Sequence, residues 1–354
     1  MHSLESLLTG WPGEVVMHHD DASDAWIFIA CHDRTLGRPV GGTRIKVYPR
    51  PADGLHDALR LARGMTEKWA IAGLPVGGGK AVLALSRPVE GAARLALLER
   101  YGRLVESLNG AFGTGQDLGS TPEDMAHIGR FTRWVHGLRA VGEPAVDPGP
   151  YTARGVYAGI RAALRHLDGS DDPAGKTIVV EGVGGVGRPL AESLAAAGAR
   201  LVLTDAVAGK AEELATRLNA STATPEEGRQ LACDVYAPCA VGATISAASI
   251  PELRCRIVGG SANNQLAEDA DAQRLHERGI LYAPDYVING GGATAFHLQS
   301  QGVSEEVIGT RLDAIGDLLT ELFRAAAAAG ISPLEAAEAR VQQILAAARQ
   351  KENS

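Results

Sequence analysis

The chain is poor in cysteine, in aromatic residues and in basic charge, and it contains no long apolar run. Cys31, Cys233, Cys239 and Cys255 are its four cysteines in 354 residues. They lack the spacing of a metal site or a disulfide framework, as expected in a reducing compartment. Acidic side chains outnumber basic ones, 42 to 34. That balance argues against a protein built to coat phosphate backbones, so no nucleic-acid partner is expected. No stretch reaches the ~18 uninterrupted apolar residues of a membrane span, so no membrane partner is expected either. The opening residues lack the basic and apolar segments of a secretory signal, and the expected location is the cytoplasm. The ten histidines, including His18 and His19, lack ligand spacing, so no metal is expected.

Glycine, by contrast, is plentiful at 43 residues. The length suits roughly two domains of ~150 residues. In the first part, residues 26–31 form a strand-length apolar run, and 55–70 carry apolar residues at helical spacing. A short strand at 81–85 and a helix at 95–108 follow. The segment 137–150, dense in proline and glycine, marks a domain boundary, placed between 143 and 144. Beyond it the rhythm is a helix at 151–166, a strand at 177–181, a helix at 188–197 and a strand at 200–204. Strand, helix, strand of these lengths is a βαβ unit and implies a parallel sheet. Further apolar runs at 233–237, 256–259 and 280–282 supply more strands, and the chain from 305 onward reads as helical. The expected fold is α/β in two domains: a mixed α/β domain over 1–143, and a Rossmann dinucleotide-binding domain over 144–324. The last helix, about 325–354, is expected to pack back on the first domain.

Glu181 leads into Gly182-Val-Gly184-Gly185-Val186-Gly187. The first glycine permits a tight turn, the second lets backbone approach a pyrophosphate, and the third lets helix pack on strand. The helix that opens there aims unpaired N–H groups at an anion. A turn that binds nothing is the bland alternative. Context favours the dinucleotide: a strand precedes, a helix follows, and the next strand ends at Asp205, placed to grip ribose hydroxyls. Asp205 would repel a 2′-phosphate, so NAD is expected over NADP, with Lys210 nearby as an opposing charge.

In the first domain two lysines sit awkwardly. Lys68 falls on the apolar face with Leu61 and Met65, where it could snorkel to water. Lys80 follows Gly77, Gly78 and Gly79, at the lip of a gap that backbone or ligand could enter. Desolvation and a neighbouring cation would lower its pKa toward that of a general base; an anion-binding loop is the alternative. Asp117 ends a glycine-punctuated run and suits either a cap or a proton carrier. Asn263 and Asn264 follow a strand, as turn formers or as amides for a nicotinamide.

Together these segments resemble the Glu/Leu/Phe/Val dehydrogenase family, in its smaller amino-acid branch. The motifs are Leu36-Gly-Arg-Pro-Val-Gly-Gly-Thr-Arg44, Ala58-Leu-Arg-Leu-Ala-Arg-Gly-Met-Thr-Glu-Lys68, Gly77-Gly-Gly-Lys80, Gly115-Gln-Asp117, Asp234-Val-Tyr-Ala-Pro-Cys-Ala240, Ser261-Ala-Asn-Asn264 and Tyr282-Ala-Pro-Asp-Tyr-Val-Ile-Asn289. They run in family order over nearly the whole chain. The resemblance implies reversible, NAD-dependent oxidative deamination of an L-amino acid to a 2-oxo acid and ammonia. It implies that Lys68 holds the substrate carboxylate beside backbone at Gly41 and Gly42, that Lys80 is the general base, and that Asp117 shuttles protons. Asn263 and Asn289 would orient nicotinamide and substrate, with Thr152, Cys239, Ala240 and Ala262 lining the cofactor cleft. Mutual repulsion between Lys68 and Lys80 would keep Lys80 neutral. A cleft would close between the domains, with 137–150 as hinge, and the assembly would be a homo-oligomer, a dimer or an octamer. Met65, Gly115, Ala293 and Phe296 would shape the side-chain pocket. Leucine-type relatives carry alanine and valine at the positions of Gly115 and Ala293, so the smaller residues here favour an aromatic substrate, phenylalanine or tryptophan. A branched-chain substrate is the alternative, since Phe296 could refill the space. A catalytically silent dinucleotide-binding regulator would have no reason to keep Lys68, Lys80 and Asp117 together.

Overall fold

The computed structural model describes residues 4–137 and 147–352. Two compact units emerge. The first comprises Met1–Asp147, Phe296–Val303 and Val341–Ser354, and the second Pro148–Ala295 and Ser304–Arg340. The stretch 296–303 thus belongs with the first unit rather than within 144–324, and the returning C-terminal piece begins at Val341 rather than 325. Most of the segment 137–150, including the expected boundary at 143, lies outside the described residues.

The first unit opens with α1 (Leu4–Leu8) and builds a five-stranded sheet. Its strands are β1 (Glu14–Asp20), β2 (Ala25–Asp33), β3 (Pro39–Val47), β4 (Gly77–Leu85) and β5 (Gly113–Gln116), in the order β1-β2-β4-β3-β5. β1 and β4 run antiparallel to β2, whereas β3 runs parallel to both β4 and β5. Alternation along the strands splits the core in two. Ala81, Leu83 and Leu85 join Ile45 and the residues of α3 (Gly91–Ser107) and α4 (Pro122–Ile128). Val82 and Ala84 join Tyr48 and the apolar face of α2 (Pro51–Ile71). Even-numbered β4 residues therefore face α2, and Lys80 is one of them. Helix α2 starts on a proline at its first turn, where the missing N–H costs nothing. Helix α4 starts with a capping box, Thr121 with Asp124, as the Thr121-Pro-Glu-Asp124 spacing predicts.

The second unit holds a wholly parallel six-stranded sheet. Its strands are β6 (Thr177–Glu181), β7 (Arg200–Thr204), β8 (Ser221–Thr222), β9 (Cys233–Pro238), β10 (Cys255–Val258) and β11 (Leu281–Tyr282). The order β11-β10-β9-β6-β7-β8 is the doubly wound Rossmann order, with its topological switch between the first and fourth strands, β6 and β9. Helices α5 (Gly149–Asp168), α6 (Gly187–Ala196), α7 (Lys210–Leu218), α8 (Pro225–Gln230), α9 (Ala270–Glu277) and α10 (Asp285–Ile288) lie along this part of the chain. Helix α11 (Gly291–Ser300) has its first residues in the second unit and its last in the first. The helical tail is two helices, α12 (Glu305–Ala329) and α13 (Pro333–Glu352), separated where Gly330 adopts φ +67. No described helix is long and apolar enough to cross a membrane.

Candidate active site

Lys80 lies within a strand. Strand β4 begins four residues before the expected 81–85, at Gly77, so the glycines and Lys80 lie within the sheet. The glycines serve protein packing. A Cβ on Gly78 would lie 1.9 Å from Thr66 Oγ1, and one on Gly79 would lie 2.8 Å from the Phe112 ring. On β3, a Cβ on Gly41 would lie 1.7 Å from the Gly79 carbonyl oxygen, and one on Gly42 would lie 2.7 Å from Asp117 Cβ. With no side chains at these positions, α2 approaches β4 closely, and β3 approaches both β4 and the end of β5; Lys80, beside them, is 4% exposed.

There Lys80 Nζ meets Asp117 Oδ1 at 2.8 Å, and Arg44 Nε donates to Asp117 Oδ2 at 2.9 Å. Asp117 therefore acts through two cations and is not the cap of a turn. The turn beyond it is held by the Ser120 hydroxyl, which accepts from the Asp117 backbone N–H. Burial is the largest influence on Lys80 and pushes its ammonium below the usual range, against the pull of Asp117. Arg44 adds to this lowering. Asp117 is held below the usual carboxylate range by Lys80 and Arg44, although burial opposes them. Lys68 and Met65 lie half-buried on α2.

Around this core, Thr43, Tyr101 and Thr114 form a buried hydroxyl cluster joining β3, α3 and β5, with Thr43 Oγ1 2.7 Å from Tyr101 Oη. Burial pushes the Tyr101 phenol up to about 12. A Cβ on Gly115 would meet nothing nearer than the His136 carbonyl oxygen at 3.7 Å, so space for a methyl remains there. Burial lowers the His136 imidazole to about 4. Phe296 is buried within the first unit, and its ring would lie 3.0 Å from a Cβ on Gly137. The sequence had pointed to none of Arg44, Asp57, Tyr48 or His136 as site residues.

In the second unit the glycine turn leaves β6 at the switch point. Gly182 adopts φ +90, and a Cβ there would lie 2.7 Å from Ala240 Cβ. A Cβ on Gly187 would lie 1.8 Å from the Gly182 carbonyl oxygen, so α6 can approach only with glycine there. Gly184 and Gly185 are exposed, with nothing within 4 Å of an added Cβ. Val186 is half-buried beside them. Asp205 accepts from the backbone N–H of Val183 at 3.0 Å and of Val207 at 2.9 Å, which ties the turn to the end of β7. Lys210 is exposed at the start of α7. Cys239 N–H donates to the Glu181 carbonyl, and Ala262 N–H to that of Pro238. Asn289 Nδ2 donates to Asn263 Oδ1 at 2.9 Å and to the Ser261 carbonyl at 3.1 Å. Asn289 Oδ1 is buried with no protein partner, an acceptor that still needs a donor. Thr152, on α5, donates to the Pro148 carbonyl. Ala293 is half-buried on α11 within this unit. The described residues contain no cluster of metal-ligating side chains, and all four cysteines are free.

A family model described as "Glu/Leu/Phe/Val dehydrogenase, dimerisation domain" matches residues 14–134, and "Glutamate/Leucine/Phenylalanine/Valine dehydrogenase" matches 203–351. The chain belongs to the Glu/Leu/Phe/Val dehydrogenase family. It is an oxidoreductase of the amino-acid dehydrogenase class. It is 39% identical over 333 residues to leucine dehydrogenase of Bacillus cereus, covering 94% of this chain and 90% of that protein. It is 40% identical to L-tryptophan dehydrogenase of Nostoc punctiforme, covering 92% and 90%, and 37% identical to phenylalanine dehydrogenase of Lysinibacillus sphaericus, covering 94% and 88%. The crystal structure of L-tryptophan dehydrogenase from Nostoc punctiforme superposes with a TM-score of 0.82 at 36% identity, over 98% of this chain and 100% of that one. The family uses NAD or NADP, and the open turn at Gly184 and Gly185, on a helix N-terminus, fits a pyrophosphate.

Proposed function

We propose that this enzyme converts an L-amino acid, with an aromatic side chain preferred, reversibly into its 2-oxo acid and ammonia, using NAD in the cytoplasm. The observation that carries the reading is the buried Lys80–Asp117 pair, whose ammonium is destabilised by burial. A lysine whose ammonium is disfavoured gives up its proton more readily and can serve as a general base. Gly182, Gly184, Gly185, Val186, Gly187, Asp205 and the segments at Thr152, Cys239, Ala240, Ala262 and Asn263 would hold the dinucleotide, which would supply the hydride acceptor. Lys68 and the backbone at Gly41 and Gly42 hold the substrate carboxylate. Neutral Lys80 takes a proton from the water that adds to the imino carbon. Asp117, hydrogen-bonded to Lys80, returns a proton to the substrate nitrogen, so ammonia leaves as a neutral molecule. Asn289, with its unpartnered carbonyl oxygen, orients a donor on substrate or nicotinamide.

The room beside Gly115 supports an aromatic ring over a branched chain, since each methylene of pocket wall counts for ~0.8 kcal/mol of contact. The likeness to leucine dehydrogenase supports the branched-chain alternative. Strand β1, at the edge of the first unit's sheet, offers a hydrogen-bond ladder to a second copy, in keeping with a homo-oligomer. The decisive measurement is turnover on phenylalanine, tryptophan, leucine and valine with NAD and with NADP, in the wild type and in Lys80→Ala. The wild type should favour an aromatic substrate with NAD. Lys80→Ala should lose about 10²–10⁴-fold in turnover while still binding NADH. Retained turnover in Lys80→Ala would remove the base, and a preference for leucine or valine would overturn the substrate assignment.

A further inference from the structure

Both oxygens of Asp117 are engaged, and only one of the two cations takes part in the chemistry proposed above. The other, Arg44, forks: Nε donates to Asp117 Oδ2, while one terminal nitrogen donates to Asp57 Oδ2 at 2.8 Å. Asp57 in turn accepts from the Tyr48 hydroxyl at 2.6 Å and, at its other oxygen, from Arg60 at 2.8 Å. Arg44 and Tyr48 come from β3 and the residue just past it, Asp57 and Arg60 from α2, and Asp117 from the end of β5. The result is a continuous chain, Lys80–Asp117–Arg44–Asp57–Tyr48, running beneath α2. The side chains of Arg44 and Asp57 are 12% and 14% exposed, too dry for either charge to stand alone.

The chain has a consequence for turnover. When Lys80 is neutral, Asp117 has lost one of its two cations in a site where burial favours its protonation. A guanidinium keeps its proton throughout the working range and presents a rigid fork. We propose that Arg44, anchored by Asp57, is a positioning residue for Asp117. It returns that carboxylate to its ionised form after each proton transfer and fixes Oδ2, leaving Oδ1 on the Lys80 side for proton exchange. This rests on the roles given above to Lys80 and Asp117.

The two members of the pair act on Lys80 with opposite sign: Arg44 disfavours its ammonium, and Asp57 favours it. Among the charged groups bearing on Lys80 are Asp117 beyond β5, Arg44 on β3 and Asp57 on α2; Lys68, further along α2, is unchanged in every variant. The test is the pH profile of kcat/KM for deamination, on the full-length enzyme, in wild type, Arg44→Gln, Arg44→Lys and Asp57→Asn. Arg44→Gln should move the acid limb, where Lys80 must shed its proton, to higher pH by about one unit, with kcat lower by about a hundredfold. Asp57→Asn should move the same limb to lower pH. Arg44→Lys should return the limb most of the way while kcat stays depressed, because an ammonium restores the charge without the fork. NADH affinity, read by fluorescence, should be the same in all four proteins. Limbs that stay in place, or that move together in one direction, would overturn the proposal; so would wild-type kcat in Arg44→Gln. If Arg44→Gln fails to fold by thermal melt, Arg44→Lys and Asp57→Asn carry the same test. Turnover surviving in Lys80→Ala would defeat the underlying reading, whereas a silent Lys80→Ala with unmoved limbs defeats only the role of Arg44 and Asp57.

Discussion

An added Cβ at Gly41 in the first unit would lie 1.7 Å from a backbone oxygen, whereas one at Gly184 or Gly185 in the second would meet nothing within 4 Å. The two glycine clusters look alike as text, yet one is filled by protein and the other is open. In the first unit missing side chains let two strands and a helix close over charged groups, and the dryness so created sets the chemistry of Lys80. In the second, missing side chains leave a concave turn on a helix N-terminus, where a ligand's oxygens can reach backbone N–H groups. Glycine thus serves burial of the protein's own charges in one place and admission of a foreign charge in the other.

The largest expected effect that can break this contrast comes from alanine at the two kinds of glycine. Gly41→Ala must push β3 from β4 and should destabilise the enzyme by more than ~3 kcal/mol, the upper end of ordinary overpacking. Gly184→Ala has room and a φ outside the left-handed region, and should change stability by less than ~0.5 kcal/mol while weakening NADH binding. Urea unfolding at pH 7, with NADH titration of the folded proteins, reads both. Equal stability losses at the two sites would erase the distinction.

The same contrast explains what was legible in the sequence. The second unit's strands are short apolar runs separated by helices of ordinary length. Residues 177–181 and 200–204 are therefore strands in the structure at the limits that the pattern predicts, and the switch-point order follows from right-handed crossovers. The first unit hides its strands. β1 carries His18 and His19, β3 carries Gly41 and Gly42, and β5 is Gly-Thr-Gly-Gln, none of which reads as a strand alone, because tertiary pairing overrides weak local preference. Lys80 looked like a loop residue for the same reason. The Arg44–Asp57 link was beyond reach, since it joins a strand to a helix whose register the text does not state. One signal did exist: Asp57 and Lys68 are eleven residues apart on one helix, three turns, and so share a face.

His136 sharpens the contrast at the next level of effect. Its ring is neutral because burial lowers it from 6.5 to about 4, with His297 and Arg38 adding to the lowering. The unfolded chain takes up this proton as pH falls through 6.5, but the folded chain resists until about 4. The stability from this group is therefore intact above pH 6.5 and is lost between 6.5 and 4, amounting to roughly 3 kcal/mol at the lower end. Asp57, pulled down to about 2 by Tyr48 and by Arg44 and Arg60, loses its contribution only below the ordinary carboxylate range, so the two windows do not overlap. Chemical denaturation of the wild type and His136→Asn at pH 7 and pH 4 isolates the term. The variant should lose less stability on acidification than the wild type, and equal losses would show that the dryness around His136 carries no such penalty.

The smallest expected effect lies on the open side. Asp205 already ties the glycine turn to β7 through Val183 and Val207, so its carboxylate has a structural duty whether or not it grips a ribose. The two roles separate by cofactor. Loss of the tie alone would loosen the turn and weaken NAD and NADP together, leaving their ratio unchanged. Loss of a ribose grip weakens NAD, while loss of the negative charge relieves NADP, so the ratio must narrow. A hydrogen bond to a charged group counts for about 1.5–3 kcal/mol, and Asp205→Ala should therefore cut the NAD preference by about tenfold or more. Asp205→Asn, whose single side-chain oxygen can keep one of the two backbone ties, should narrow the ratio nearly as far with less loss of overall affinity than alanine. Parallel weakening of both dinucleotides in Asp205→Ala, with their ratio unchanged in Asp205→Asn as well, would assign Asp205 to the turn alone and leave the preference for NAD to be set elsewhere on the open surface.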